Sequence, residues 1–332
     1  MGTAFAYPCI DNKHDVNIVG THLENNSIEE LNKSRFHSSL NLEVASSIKF
    51  FKHELINEVF KLKPELIVIA VSSKGIDWIA EELKKISINH ELPNLLMLTK
   101  GLSMNENNYE LLVDKIERLL LSKGLKNLNL SAVGGPCLAA GLANRVHTGV
   151  VIANKNLDTA KLMCKMLSTS YYHTSPSSDI NGVEACAAIK NIFSMVIGAA
   201  AGLNISKPKG NFYLNTSATL VKQSIYEMEV FSEFLRGKKD TVKGLAGLGD
   251  LYVSAAGGRN SKMGALIGEG TLFSEAKKTK MPNVTVEGAE LIFEIGKKVK
   301  KDFDEKKLPL MIGMINSVLD DKKLDIKWEN FN

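Results

Sequence analysis

The stretch NGVEACAAIKNIFSMVIGAAAGLN, residues 181–204, decides how this chain is divided, because it is a long run that is apolar on almost every face. At roughly 100° per residue, a helix formed by this run places Lys190 on the same stripe as Val183, Ala187 and Phe193. The nearest carboxylate before it, Glu184, faces another side. The run therefore predicts a core helix that carries one desolvated lysine.

Short apolar runs alternate with longer amphipathic runs before this stretch. The runs that predict strands buried on both faces are VNIVG at 16–20, ELIVIAV at 65–71, NLLMLTK at 94–100 and HTGVVIA at 147–153. Helical patterns at 75–85 and 109–122 lie among them, an order typical of a doubly wound parallel sheet. The fold class is therefore α/β, with a Rossmann-like doubly wound parallel sheet in the first half.

The second half of the chain has a different pattern. The polar segment TSPSSD at 174–179 is interpreted as a hinge, and no strand pattern follows it. The long helical patterns that follow cover 180–203, 212–236, 286–301 and 309–320. With 332 residues, 44% of them hydrophobic, the chain is long enough for two cores. The sequence predicts one domain over 1–175 and an all-helical C-terminal domain over 179–332.

Composition limits the function. The net charge is only +4, and lysines and carboxylates are mixed along the chain, so a nucleic-acid partner is not expected. Widely spaced cysteines without a signal peptide indicate reduced thiols and a cytoplasmic location. These cysteines are Cys9, Cys137, Cys164 and Cys186. The longest uncharged apolar run, 191–203, is shorter than the roughly 20 residues that cross a bilayer, so no membrane span is expected.

Residues that follow the predicted strands are the candidates for a site, because a doubly wound sheet binds ligands beyond the carboxyl ends of its strands. Lys100 follows one strand, where a cation can reach a bound anion. In GGPC at 134–137, two glycines allow close backbone approach and the proline suits a first helical turn. The segment GLAGLGDLYVSAAGGRN at 244–260 carries two charges, on Asp250 and Arg259. A carboxylate in such an apolar segment is costly unless it is paired, and Lys190 has the complementary need.

Together these segments resemble the NAD(P)-dependent glycerol-3-phosphate dehydrogenase family over nearly the whole chain. MGTAFAYP at the start resembles the end of the family's glycine-rich nucleotide loop and the helix after it, and VGTHL resembles the segment after its second strand. The other matching motifs, in the family's order and spacing, are TKGL, GGPC, EACAAIKN, GLAGLGDLYV, GGRN and VEG. The resemblance implies a dinucleotide-binding first domain, a helical substrate and catalytic domain, NADP or NAD as cofactor, no metal, and a homodimer.

Position by position, the resemblance implies that Lys190 is the proton donor and acceptor. The apolar stripe would disfavour its charged form and bring its pKa down towards the working range. The residues implied to be catalytic are Lys190, Lys100 and Asp250. The residues implied to bind substrate are Lys100, Gly135, Cys137, Lys190, Asn191, Asp250, Gly258, Arg259 and Asn260. The residues implied to bind cofactor are Met1, Gly2, Thr21, His22, Lys100, Ala139, Arg259 and Glu287.

Three departures from the family pattern affect binding. Gly258 and Cys137 stand where many members have hydroxyl residues, which removes contacts to substrate. The strand VNIVG is followed by Gly20 and Thr21 without a carboxylate that would bind the ribose of NAD, which favours NADP, with Thr21 and His22 as contacts. Gly2 corresponds to the third glycine of the nucleotide loop. We therefore expect either a start upstream of Met1, encoding a strand and the first glycines, or weak cofactor binding.

Two alternatives remain open at the level of sequence. Related hydroxyacid dehydrogenases also place a lysine on the first long helix of a helical domain. A second reading is a non-catalytic relative that has lost part of its nucleotide loop. The favoured reading is the interconversion of dihydroxyacetone phosphate and sn-glycerol 3-phosphate, which supplies the backbone of phospholipids.

Overall fold

The structure is a computed structural model that describes residues 1–207 and 213–332. The described chain forms two compact units. The first unit contains residues 1–100, 112–133 and 137–180, and the second contains residues 101–111, 134–136 and those from 181 onward. Two short segments of the first half of the sequence therefore belong to the second unit.

The secondary structure follows in chain order. The strands are β1 (Asn17–Val19), β2 (Phe36–His37), β3 (Leu42–Glu43), β4 (Lys49–Phe51), β5 (Leu66–Ile69), β6 (Asn94–Met97), β7 (Leu102–Asn105), β8 (Asn108–Leu111), β9 (Leu130–Gly134), β10 (Thr148–Asn154) and β11 (Tyr172–Ser177). The helices are α1 (Gly2–Asp11), α2 (Asn25–Ser34), α3 (Ile56–Phe60), α4 (Ile76–Ser87), α5 (Leu112–Ser122), α6 (Ala139–Ala143), α7 (Leu157–Leu167), α8 (Ile180–Leu203), α9 (Tyr213–Phe234), α10 (Lys239–Lys243), α11 (Asp250–Ala255), α12 (Arg259–Gly268), α13 (Phe273–Thr279), α14 (Glu287–Asp302) and α15 (Pro309–Leu319).

A five-stranded sheet in the order β11-β10-β9-β6-β5 forms the centre of the first unit. The pairs β5–β6, β6–β9 and β10–β11 are parallel. Asn154, at the carboxyl end of β10, donates from Nδ2 to the backbone oxygen of Leu130, at the amino end of β9, so this pair runs antiparallel. Strands β1 and β4 form a separate parallel pair. The expected Rossmann-like class is confirmed, with one reversal of strand direction.

Helices cover the sheet of the first unit because its strands are apolar. Residues Leu95, Leu96 and Met97 of β6 are fully buried, which fits a run without alternation. Helix α1 buries Phe5 edge-on against Tyr172 of β11, with ring centroids 5.9 Å apart. Burial of these apolar side chains fixes α1, so its amino end keeps a defined position at the sheet.

Two sequence-based boundaries are wrong. The segment interpreted as a hinge at 174–179 mostly belongs to β11, because backbone pairing with β10 holds its polar residues in a strand. The helix expected at 109–122 begins only at Leu112, since residues 108–111 pair with β7 in a hairpin of the second unit. The helix expected at 212–236 is α9, and residue 212 lies outside the described residues.

Helix α8 is the central element of the second unit, which has no strand other than those of the hairpin among the described residues. Close backbone contact joins α8 to α12. A β-carbon on Gly198 would overlap the backbone of Ser261, and a β-carbon on Gly264 would overlap that of Met195. The glycines therefore let the two helices approach closely, which fixes the start of α12 beside the middle of α8.

By length and composition alone, α8 is long and apolar enough to cross a membrane. However, 78% of its apolar window is buried inside the protein, and its neighbours are the apolar side chains of the other helices. This burial identifies α8 as a core helix, as the sequence predicts.

Candidate active site

A buried ion pair joins Lys190 to Asp250. The lysine lies in the middle of α8 and the aspartate is the first residue of α11. Nζ of Lys190 donates to Oδ1 of Asp250, and the two side chains are only 11% and 3% exposed. The apolar stripe thus accepts a lysine because a carboxylate from another helix meets it. This carboxylate stabilises the ammonium form, which opposes the effect expected from the apolar surroundings alone.

A π-helical turn, Leu245–Gly249, directs Asp250 towards α8. Such turns are rare and occur often at functional sites. Gly247 lies so close to α10 that a β-carbon there would overlap the backbone of Val242. A larger residue at 247 would displace the turn and Asp250 with it, which explains the glycine at this position.

Gly134, the first glycine of the 134–137 segment, lies against α8 and the π-helical turn. A β-carbon on Gly134 would lie 2.6 Å from Cγ1 of Val183 on α8 and 3.2 Å from Cβ of Ala246 in the π-helical turn. Gly135 has φ of 133°, a conformation that other residues rarely adopt. Because Gly134 contacts α8 and the π-helical turn, the segment 134–136 belongs to the second unit, as do Lys190 and Asp250.

A polar network follows Lys190 along α8. Nδ2 of Asn260 donates to Oδ1 of Asn191 over 3.1 Å, and the backbone N–H of Gly288 donates to Oδ1 of Asn260 over 2.9 Å. Arg259 pairs with Glu287, the first residue of α14. Arg259 is 57% exposed at its side chain, whereas Asn260 is buried. One guanidinium and two amides thus lie at the amino end of α12, directly after Gly258.

The second unit therefore contains most of the residues implied to bind substrate. These substrate-binding residues are Gly135, Lys190, Asn191, Asp250, Gly258, Arg259 and Asn260. The second unit also contains Glu287, which is implied to bind the cofactor. The residues of the predicted site that belong to the first unit are Met1, Gly2, Thr21, His22, Lys100, Cys137 and Ala139.

In the first unit, the amino end of α1 lies at the carboxyl ends of strands. A β-carbon on Gly2 would lie 3.3 Å from Cβ of Ala70, the residue that follows β5. Helix α6, which begins at Ala139, packs against α1. Burial lowers the pKa of the Met1 amino group, and the charges of Glu24 and Cys137 oppose this shift. The unpaired N–H groups at the start of a helix favour anions, so this end of α1 fits a pyrophosphate.

Sequence reasoning missed Glu24. Oε2 of Glu24 accepts a hydrogen bond of 2.8 Å from the backbone N–H of Thr21, directly after β1. The expectation that this strand end lacks a carboxylate is therefore wrong, because the side chain of a later residue folds back to it. A search that extended a few residues beyond the strand would have found this carboxylate.

Comparison with known proteins defines first the class and then the family. The solved glycerol-3-phosphate dehydrogenase of Coxiella burnetii has the same fold, with a TM-score of 0.78 at 22% identity over 97% of this chain and 92% of that one. The enzyme from yeast gives 0.76 at 20% identity over 97% and 93%. The fold is thus that of the solved glycerol-3-phosphate dehydrogenases.

The sequence comparisons identify the family. Residues 1–160 match the N-terminal model, and residues 179–326 the C-terminal model, of NAD-dependent glycerol-3-phosphate dehydrogenase. A glycerol-3-phosphate dehydrogenase [NAD(P)+] of Chlamydia pneumoniae is 30% identical over 79% of this chain and 74% of its own length. An NADP(+)-dependent relative from Archaeoglobus fulgidus is 27% identical over 83% and 79%. The chain belongs to the NAD-dependent glycerol-3-phosphate dehydrogenase family.

Proposed function

We propose that this protein interconverts dihydroxyacetone phosphate and sn-glycerol 3-phosphate with NAD or NADP, and so supplies the glycerol backbone of phospholipids. The observation that carries the proposal is the buried Lys190–Asp250 pair in a helical unit, beside Asn191 and the amino end of α12. We assign residues 1–175 to a dinucleotide-binding domain and residues 179–332 to the substrate and catalytic domain. We also assign the protein to the cytoplasm and expect a homodimer.

Lys190 acts as the acid in ketone reduction. A bound reduced nicotinamide supplies the hydride. As negative charge develops on the carbonyl oxygen, the ammonium at Nζ donates its proton to that oxygen, and in the reverse direction the amine takes the proton back. General acid–base help of this kind contributes roughly 10²- to 10⁴-fold in rate. Asp250 keeps the lysine protonated and oriented before the transfer.

The amino end of α12 binds the phosphate group of the substrate. The first N–H groups of a helix have no partner within it, and the positive end of the helix dipole favours a dianion. Arg259 adds a planar fork of donors, and Asn260 holds Asn191 in place. A phosphorylated substrate therefore fits this site better than a hydroxy acid without phosphate.

Residues of the first unit hold the cofactor. The start of α1 at Gly2 fits the pyrophosphate, and the segment after β1 fits the adenosine ribose. Lys100 follows β6 and its loop at the carboxyl end of the sheet, and we assign it to the nicotinamide end of the cofactor and to catalysis. Cys137, in place of a hydroxyl residue, leaves the backbone to bind at that position.

A substrate panel tests the proposal. Oxidation of NADH and of NADPH is followed with dihydroxyacetone phosphate, with unphosphorylated dihydroxyacetone, and with short oxo acids. We expect kcat/KM to be highest for dihydroxyacetone phosphate by at least about a hundredfold, the scale on which a lost charged contact acts. A preference for an oxo acid would identify a hydroxyacid dehydrogenase. Absence of turnover in a protein that binds the cofactor would identify a non-catalytic relative.

A further inference from the structure

We propose that His147 and His173 form a binding site for one divalent transition-metal ion of the type that prefers imidazole ligands, such as Ni²⁺, Zn²⁺ or Cu²⁺. Neither histidine is among the residues implied to bind substrate or cofactor. The inference therefore goes beyond the proposed reaction and does not depend on it.

Two paired strands of the first unit place these histidines side by side. His147 directly precedes β10, and His173 is the second residue of β11, the edge strand of the five-stranded sheet. In the parallel pairing of these strands, His173 lies opposite Gly149. Side chains two residues apart along a strand point to the same face, so His147 shares this face with Gly149. Because Gly149 has no side chain, the exposed rings of the two histidines can meet beside it.

The two rings meet edge to edge. Nδ1 of His147 lies 3.1 Å from Nε2 of His173, the ring planes are inclined by 4°, and the ring centroids are 5.4 Å apart. The centroid separation is about the sum of the distance between the two nitrogens and the centre-to-nitrogen distance of each ring. Both nitrogens therefore lie on the line that joins the centroids. Two parallel rings on such a line are coplanar, and are not stacked face to face.

Two ring nitrogens that face each other need a proton or a metal ion between them. A neutral imidazole has one nitrogen that donates and one that carries a lone pair, so a hydrogen bond across this gap uses a single proton. A metal ion can replace that proton, because neutral imidazole nitrogens are common ligands of Zn²⁺, Cu²⁺ and Ni²⁺. At metal–nitrogen distances of about 2.0–2.1 Å, tetrahedral coordination sets two ligand nitrogens about 3.4 Å apart. The pair thus needs to open only slightly, while the exposed rings tilt until their lone pairs converge on the ion.

The neighbouring charged groups neither repel the ion strongly nor complete its coordination. Arg145, two residues before His147, is held by both carboxylate oxygens of Asp11, over 2.7 and 2.9 Å, which balances its charge. The hydroxyl of Tyr171 donates to the same carboxylate over 2.6 Å. In the described part of the chain, no group of three His, Cys, Asp or Glu side chains is placed to hold a metal ion. Water therefore fills the remaining positions, and Mg²⁺ and Ca²⁺, which require oxygen ligands, are disfavoured.

His22 and His53 are also neighbours, but they lack this geometry. Their ring centroids are 6.5 Å apart and their planes are inclined by 74°. Nε2 of His53 also lies 3.0 Å from Oε2 of Glu82. At this centroid separation, no two nitrogens of the pair approach to the distance of about 3.4 Å that tetrahedral coordination needs. We therefore assign the ion to His147 and His173.

The proposal is tested by calorimetric titration of the complete protein with NiCl₂ at about pH 7.5, where imidazole is mostly uncharged. We expect wild-type protein to bind one Ni²⁺ per chain. His147→Ala and His173→Ala should each weaken this binding at least about tenfold, because loss of a group that merely supports a metal ligand already costs about 10- to 100-fold. Lowering the pH to about 5 should weaken it at least about a hundredfold, since protons then compete for both rings.

His90→Ala is the matched control. It removes one histidine of the same unit, whose ring centroid lies 5.9 Å from that of Phe60, and it should bind Ni²⁺ as wild type does. Unchanged binding in either pair variant would overturn the proposal, as would absence of binding by wild-type protein or an equal loss in His90→Ala. A second measurement needs no variant. Electron paramagnetic resonance of wild-type protein with one equivalent of Cu²⁺ should show coupling to two imidazole nitrogens, and coupling to fewer would also overturn the proposal.

Discussion

Replacing Asp250 with asparagine should lower the stability of the protein, because it leaves the buried Lys190 ammonium without its partner. The change keeps the size of the side chain but removes the charge that faces Lys190. Because the side chains of this pair are 11% and 3% exposed, water can solvate the remaining ammonium only in part. Removing one partner of a buried pair costs about 3–5 kcal/mol, and the partial access of Lys190 to water places the expected loss near the lower end, about 3 kcal/mol.

Lys190→Met supplies the other half of a double-mutant cycle. It leaves the Asp250 carboxylate without its cation but fills the space of the lysine stem. In the double variant neither charge remains, so we expect it to lose less stability than the sum of the single variants by at least about 1.5 kcal/mol. Urea unfolding of the four proteins, monitored by circular dichroism, gives these free energies. Losses that add within about 0.5 kcal/mol would refute direct coupling between the two side chains.

Three further predictions follow from single contacts. Arg259→Lys keeps the charge but removes the planar fork, so KM for dihydroxyacetone phosphate should rise about tenfold while kcat changes little, and an unchanged KM would place the phosphate elsewhere. Gly247→Ala should lower the free energy of unfolding by about 2 kcal/mol or more, since its methyl group meets the backbone of Val242, whereas Gly257→Ser, with open space around it but φ of 123°, should cost less. Burial raises the pKa of Glu227 to about 8, despite N–H donors at the start of α15. The folded state then binds the proton more tightly than the unfolded state. The free energy of unfolding should therefore fall by up to ~1.4 kcal/mol per pH unit as the pH rises from about 5 to 8. Urea unfolding of Glu227→Gln at the same pH values should show a flatter slope.

The sequence predicts the elements that depend on local pattern. Helix α8 and strands β1, β5, β6 and β10 are runs whose apolar pattern alone indicates their type. The expected burial holds for most residues of α8 and β6, whereas the residues of β1 and most of those of β5 are only partly buried. The family resemblance adds the pairing of Lys190 with Asp250, which lie far apart in sequence and meet only through the packing of two helices. Local pattern could not supply this contact, because it depends on the π-helical turn before Asp250.

The local sequence pattern does not predict features that depend on long-range strand pairing or on the direction of a side chain. The polar residues of β11 resemble a hinge until β10 pairs with them. The hairpin of β7 and β8 joins the second unit although strands of the first unit flank it, and no composition change marks its ends. Glu24 lies beyond the strand end in sequence and reaches it only because the chain turns into α2. In each case the deciding contact is made by residues that the local pattern does not connect.

The central claim is that Lys190 transfers the proton, and one measurement tests it most directly. The rate of NADH oxidation with saturating dihydroxyacetone phosphate is compared for wild type, Lys190→Ala and Lys222→Ala, where Lys222 is an exposed lysine of α9. Binding of NADH by all three proteins is measured in parallel. We expect Lys190→Ala to lose at least about a hundredfold in kcat with cofactor binding retained, and Lys222→Ala to match wild type. A Lys190→Ala variant that binds NADH and keeps a tenth or more of the wild-type rate would contradict the account.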